Sequence, residues 1–321
     1  MTAARHAIEA SLVAFRAGEP ATLALVVATE GSTYVKPGAL ALFAEQGTRE
    51  GWLSGGCLEA DIALQAAAAL QAGELTLMEI DTRSDEDLLS GSAVGCRGRL
   101  HLALLPLPAL SGWDTLARAW LARRGALCLQ LDAQGRCCAS IGDVLQEWPL
   151  PLDTRHVAAR FHVRIPAPPA LALFGAGPES EVLLPWLRQL GWMTTLVEKR
   201  PRWRGQGVLA DQHVEATPAQ ALAAGLDAEA VLVMHHHFEL DREALDALAA
   251  HPARFIGLLG PRRRQQDLFQ LLAPAQREQL MPRLRSPVGL HLGGEGPQAI
   301  ALSIAAQLQR WREDEDEDAI T

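Results

Sequence analysis

The chain has 321 residues, enough for two domains with separate cores. Hydrophobic residues make up 49% and charged residues 21%, and the net charge of −9 falls to −3 without the six acids of Glu313 to Asp318. So neutral a body lacks the concentrated basic face that nucleic-acid phosphates need, and no apolar run is long enough to cross a bilayer. From the N-terminus, Arg5 to Arg16 has the apolar spacing of an amphipathic helix, ended by Gly18 and Pro20. Thr22 to Ala28 reads as a buried strand. A small-residue loop from Gly31 to Ala39 follows, then a strand at Leu40–Phe43, a turn at Gln46-Gly47 and a further strand beginning at Gly51-Trp52-Leu53.

The next segment, Ser54-Gly55-Gly56-Cys57-Leu58-Glu59-Ala60-Asp61, lies where a strand ends and an alanine-rich helix (Ile62 to Leu70) begins. Two glycines before a helix free the backbone to cradle an anion, and the helix dipole favours negative charge there. Cys57 stands at or near that helix start, a setting that exposes a thiolate; the alternative is a small buried hydrophobe. Glu59 and Asp61 fall in the first turn, where acids complement the dipole. Leu75 to Ile80 is a strand, Asp81 to Asp87 an acidic surface loop, and Gly91 to Gly98 a second glycine-rich loop that carries Cys96. Arg99 to Leu105 resumes a strand, and Pro106-Leu107-Pro108 closes the first domain.

The five cysteines are odd in number and include no CxxC pair, which fits free thiols in a reducing compartment. With no signal-peptide pattern at the N-terminus, the expected location is cytoplasmic. Residues 109–166 read as a connecting region: a helix at Trp113–Arg123, strands at Leu127–Leu131 and Arg136–Ile141, and an irregular stretch from Leu150 to Ile165. Cys128, Cys137 and Cys138 are expected to be packing residues.

Residues 167–312 read as a Rossmann-like doubly wound parallel sheet, so the whole chain is α/β with a mixed α/β N-terminal domain. The apolar run Ala170–Phe174 meets Gly175-Ala176-Gly177, then a helix, then the strand Met193–Val197, with Glu198 at its end. That is the order of a dinucleotide-binding βαβ unit, and an acid 23 positions after the first glycine stands where a ribose-binding carboxylate is expected. The third glycine of that fingerprint is replaced by Ser180. Strands at Val231–Met234 and Phe255–Leu259 continue the sheet, separated by helices at Pro218–Ala224, Arg242–Ala250 and Arg264–Leu272. Three stretches then end at the crevice edge: Glu198-Lys199-Arg200, His235-His236-His237 and Gly260-Pro261-Arg262. Successive strand residues face opposite ways, so the three histidines are expected to diverge rather than share one ion, with His235 or His236 making hydrogen bonds. Ser286 to Pro297 leads into a helix at Gln298–Arg310, and its glycines offer another anion-friendly helix start. Residues 313–321 are expected to form an acidic disordered tail.

Seven pieces in this order resemble the XdhC/CoxI family, the xanthine dehydrogenase accessory factors. They are Gly31–Ala39, Ser54–Asp61, Gly95–Gly98, Phe174–Gly177, Glu198–Pro201, Ile256–Arg263 and Pro287–Gly293. The chain departs from the family pattern at three places. Gly95-Cys96-Arg97-Gly98 stands for Gly-Cys-Gly-Gly, Glu198 for an aspartate, and Met234-His235 for a Thr-His pair. The resemblance implies a chaperone of molybdenum cofactor, in its molybdopterin or dinucleotide form, without turnover of its own. Such a protein protects the cofactor, supports its sulfuration with a cysteine desulfurase, and delivers it to a xanthine dehydrogenase- or aldehyde oxidoreductase-type apoenzyme. Expected cofactor contacts are Lys36, Gly55, Gly56, Cys57, Glu59, Cys96, Gly175, Gly177, Glu198, Arg200 and His235, with Cys57 and Cys96 flanking the metal end and the Gly175–Gly177 turn, Glu198 and Arg200 holding a phosphate or nucleotide end. A homodimer is ordinary for such a chain. Two competing readings stand beside it: an NAD(P)-dependent oxidoreductase built on the Gly175 turn, and a regulatory partner with a Rossmann unit that binds nothing.

Overall fold

A computed structural model of the chain describes residues 4–44, 49–83, 97–132, 136–149 and 160–318. It divides into two compact units, Met1–Pro168 and Pro169–Thr321. No helix among the described residues is long and apolar enough to cross a membrane.

In the first unit, helix α1 (Ala4–Ala17) precedes strands β1 (Ala21–Gly31), β2 (Leu40–Ala44) and β3 (Arg49–Glu50). Helix α2 (Glu59–Ala72) and strands β4 (Thr76–Asp81) and β5 (Gly98–Pro106) follow. The described strands make one antiparallel sheet in the order β3-β2-β1-β5-β4. Its two faces follow from the period of two along β1. Leu23 and Leu25 enter the core with Ile8 and Leu12 of α1, while Ala24 and Val26 pack with Ile62, Ala66 and Ala69 of α2. The strand expected from Gly51 onward is instead the two-residue β3 just before it. Gly51 takes φ +94°, outside the extended region, and turns the chain against Leu40 and Ala41.

Residues 109–166, expected to be a connecting region, belong to this unit. Helix α3 (Trp113–Leu121) and strands β6 (Leu127–Leu131), β7 (Arg136–Ile141), β8 (Val144–Pro149) and β9 (Phe161–Ile165) build a second antiparallel sheet, ordered β8-β7-β6-β9. Trp113, Trp120, Leu129 and Val163 share one core with Ile8 and Leu23, and Trp113 Nε1 donates to Ser11 Oγ at 2.8 Å. Large aromatic side chains with a satisfied N–H bind the segment to the domain. Cys137 is buried in this sheet, and burial pushes its thiol up to about 12.

The second unit alternates strand and helix: β10 (Ala170–Phe174), α4 (Ser180–Gln189), β11 (Met193–Val197), β12 (Gln212–Val214), α5 (Pro218–Ala223), β13 (Ala230–Val233), α6 (Phe238–Leu248), β14 (Phe255–Leu258), α7 (Arg262–Gln270), α8 (Pro274–Leu280), β15 (Leu284–Arg285) and α9 (Gly296–Asp318). Its described strands are all parallel, in the order β12-β11-β10-β13-β14-β15. This is the expected doubly wound sheet, with its switch point between β10 and β13. Leu171, Leu173 and Leu232 face α4 and α9, whereas Ala172, Phe174 and Val233 face α6 and α7. Helix α9 runs on through Asp318, so residues 313–318 of the expected tail are helical. Glutamate is a good helix former, and Arg310 pairs with Asp314 one turn on.

Candidate functional site

In the first unit, three motif-bearing segments leave the same end of the sheet. The loop after Gly31 follows β1, the 51–58 segment follows β3 beside the start of β2, and Arg97-Gly98 enters β5 opposite Gly31. Close backbone contact sets this arrangement. Ser32 N donates to the Arg97 carbonyl at 3.1 Å, and a Cβ on Gly98 would lie 2.3 Å from the Ser32 oxygen. Gly98→Ala is therefore expected to cost about 1–3 kcal/mol through forced backbone displacement, read as a lower melting temperature of the first unit.

Cys57 is exposed on this edge, flanked by exposed Gly55 and Gly56 and followed by α2. What shapes its loop is the pair Ser54 and Glu59, of which sequence reasoning singles out only Glu59, as a cofactor contact. Ser54 Oγ accepts from Gly56 N (3.1 Å) and Leu58 N (3.2 Å) and lies 3.9 Å from Cys57 Sγ. Glu59 accepts from Ser54 N at 2.9 Å, Leu53 N at 3.3 Å and the Ser54 hydroxyl. Glu59 is buried and spends its carboxylate on the loop, so its place in the site is that of a clamp. Trp52 is half exposed beside Gly56, with the Arg49 guanidinium 3.6 Å over its ring. Lys36 is exposed in the loop after β1. Cys96 and Gly91–Gly95 lie outside the described residues.

In the second unit the structure brings Gly175, Gly177, Glu198, Arg200 and His235 together at the switch point. Gly175 has φ +86°, and a Cβ there would lie 2.6 Å from His235 Cα and the ring atoms Cγ and Cδ2. Glu198 is 2% exposed and accepts from Ala176 N (2.8 Å), Arg200 N (2.8 Å) and Arg200 Nε (2.9 Å). Arg200 also donates to the carbonyls of His235 (2.8 Å) and Ala176 (3.0 Å). The other turn amide is taken too: Gly177 N donates to Ser180 Oγ at 2.9 Å. Glu179 Oε2 sits 2.9 Å from the place of a Gly177 Cβ and pairs with His236 Nε2 at 3.2 Å. A pyrophosphate approaching this turn meets two carboxylates and amides already bonded, an arrangement that opposes dinucleotide binding.

The three histidines diverge. His235 is buried, with Nδ1 3.0 Å from Asp241 Oδ1, and Arg264 Nη2 holds the other oxygen of Asp241 at 2.6 Å. His236 takes the left-handed region at φ +54° to reach Glu179, and His237 Nδ1 caps α6 by accepting from Leu240 N. Among the described residues no group of three or more His, Cys, Asp and Glu side chains could hold a metal ion. Asp241 and Arg264 escape sequence reasoning; their only trace is an acid in the first turn of the helix after His235.

Burial raises the Glu198 carboxyl, but the hydrogen bonds from Arg200 and Ala176 outweigh it and leave the group below its ordinary 4.5. A depressed folded value means that the ionised form stabilises the fold above pH 4.5, and that this stability is lost as pH falls through the depressed value. Acid unfolding of Glu198→Gln, followed by circular dichroism, is expected to depend less on pH below 4.5 than that of the native chain. Superimposable pH profiles would contradict this role.

A family model described as the XdhC Rossmann domain matches residues 171–308, and one described as the XdhC and CoxI family matches residues 14–81. A Bacillus subtilis (strain 168) protein described as a probable xanthine dehydrogenase subunit is 29% identical over 315 residues, covering 92% of this chain and 94% of that protein. The uncharacterized protein YqeB of Escherichia coli (strain K12) is 45% identical over 69 residues, covering 21% of this chain and 13% of its own length. The crystal structure of a Bacillus halodurans protein described as a xanthine dehydrogenase superposes with a TM-score of 0.81 at 28% identity, covering 96% of each chain.

Proposed function

The chain belongs to the XdhC and CoxI family, and from that membership we propose that it serves the maturation of a xanthine dehydrogenase-type molybdoenzyme by binding molybdenum cofactor. The observation that carries the reading is the sharing of one sheet end by the motif loops of the first unit, with Cys57 exposed there between two exposed glycines and a helix start. The cofactor combines a phosphate with a soft, dithiolene-bound metal, and when bound it supplies the oxo-to-sulfido exchange chemistry. An exposed thiol suits the soft metal, and glycine backbone with helix-start amides suits the anion.

This chain's residues do the holding. Cys57 presents sulfur to the metal end, with Cys96 as its expected companion. Ser54 and Glu59 keep that loop open by accepting its Leu53, Ser54, Gly56 and Leu58 amides, while Gly55 and Lys36 are left at the surface for an anion and Gly56 leaves room for it to approach. In the second unit, Glu198, Arg200 and His235 brace the Gly175 turn and fix the walls of the crevice. The wider proposal includes a cysteine desulfurase as sulfur donor, delivery to an aldehyde oxidoreductase- or xanthine dehydrogenase-type apoenzyme, a homodimer, and a cytoplasmic setting. Reconstitution tests it: apoenzyme mixed with cofactor and this protein is expected to gain activity faster than apoenzyme with cofactor alone. Equal rates would remove the maturation role.

A further inference from the structure

Trp52 stands at the motif-bearing end of the first sheet with 50% of its surface in solvent, although an indole is among the largest apolar groups a chain can bury. Its backbone is fixed on both sides. Gly51 takes φ +94° and presses so closely on β2 that a Cβ there would lie 2.5 Å from the Leu40 oxygen. Leu53 is fully buried and donates its N–H to Glu59 at 3.3 Å. A single exposed apolar residue is ordinary on a protein surface. One held between two anchored neighbours offers a surface that is already ordered, so a ligand meets it at little entropic cost.

The ring also carries a cation. The Arg49 guanidinium lies 3.6 Å over its centroid, and Arg49 forms no ion pair among the described residues. Glu50, its neighbour on β3, alternates to the opposite side of the strand. The edge of the indole meets the Cys57 loop, because a Cβ on Gly56 would lie 3.9 Å from Trp52 Cζ3. Neither Gly55 nor Gly56 has a side chain to lay over that edge. A π surface beside an unpaired guanidinium suits a flat heterocycle with acceptors on its rim. The ring stacks on the indole, while carbonyl and ring-nitrogen atoms accept from the planar fork. An aliphatic phosphate would use the cation and leave the ring bare, and a purely apolar ligand would do the reverse.

We infer that Trp52 and Arg49 form the ledge on which the pterin ring of the cofactor stacks. The inference rests on the family reading above and deepens it by giving the organic part of the cofactor its own contacts. Those contacts lie on the edge that carries Cys57, and they call on no residue of the second unit.

The test uses the full-length protein and neopterin, which has the pterin ring but neither metal nor phosphate, with binding followed by the probe's own fluorescence. The native protein is expected to bind it saturably. Trp52→Leu keeps apolar bulk without a π face and is expected to bind about tenfold or more weakly, whereas Trp52→Phe restores a ring and is expected to stay within about threefold of the native chain. Arg49→Gln is expected to bind about threefold to tenfold more weakly, and undiminished binding there would remove the guanidinium from the ledge. No saturable binding by the native chain, or equal binding by the Trp52→Leu protein, overturns the inference. Molybdenum cofactor uptake by the same proteins separates the two claims. A native protein that binds neopterin through Trp52 but takes up no molybdenum removes the maturation reading alone. Molybdenum held equally by the native and Trp52→Leu proteins removes the ledge alone.

Discussion

Glu198→Ala is expected to destabilise the second unit by about 3 kcal/mol, the lower end of what removing one partner of a buried ion pair costs. The carboxylate is 2% exposed and accepts the Ala176 amide, the Arg200 amide and the Arg200 side chain. Alanine leaves the Ala176 N–H without an acceptor at the turn that joins β10 to α4. Arg200 is a quarter exposed and keeps the carbonyls of His235 and Ala176, so water recovers part of its loss. For a unit of this size the expected fall in melting temperature is about 6–12 °C. Glu198→Gln keeps an acceptor for Ala176 and is expected to fall less. If the alanine variant melts with the native chain, the carboxylate does not brace the turn.

Cys57→Ala has the opposite signature, a large effect on cofactor retention and almost none on folding. The thiol is exposed, and its hydrogen-bond contact to Ser54 Oγ is 3.9 Å long, too loose to support the loop. The loop is held instead by Glu59 and Ser54, which the substitution leaves untouched. Loss of a soft donor is expected to lower molybdenum retention by about tenfold or more. Ser54→Ala is the informative partner, because it frees the Gly56 and Leu58 amides and disturbs the loop while the thiol remains. Undiminished molybdenum in Cys57→Ala protein would separate the sulfur from the cofactor and leave only the glycines in the proposal.

Much of this architecture is legible in the sequence where apolar runs are bounded by glycines. Gly175 and Gly191 frame α4, and the runs of β10, β11, β13 and β14 are long enough to be unambiguous. Strands β12 and β15 escape notice because three and two residues carry no periodicity, and Gln212-His213-Val214 has no apolar run. Helix α8, Pro-Ala-Gln-Arg-Glu-Gln-Leu, has almost no apolar stripe to announce it. Residues 109–166 read as a connector because their burial depends on Trp113 and Trp148 reaching a core built by distant strands.

At the site, sequence spacing finds the glycines, the acid and the histidine, and the structure gathers those of the second unit at one switch point. Spacing does not show which amides are already spent. Glu179 at the turn and Ser180 in the third-glycine position are the signals, since both carry oxygen acceptors into the place a phosphate needs. The Asp241–Arg264 pair behind His235 joins residues 23 apart through side chains alone, and no local pattern encodes it.

A maturation role requires first of all that this chain hold molybdenum cofactor. Purified protein is incubated without oxygen with freshly released cofactor and passed through a sizing column, and metal in the protein peak is measured by mass spectrometry. Molybdenum emerging with the protein in near-equimolar amount is the predicted result; molybdenum emerging entirely with the small molecules would contradict it.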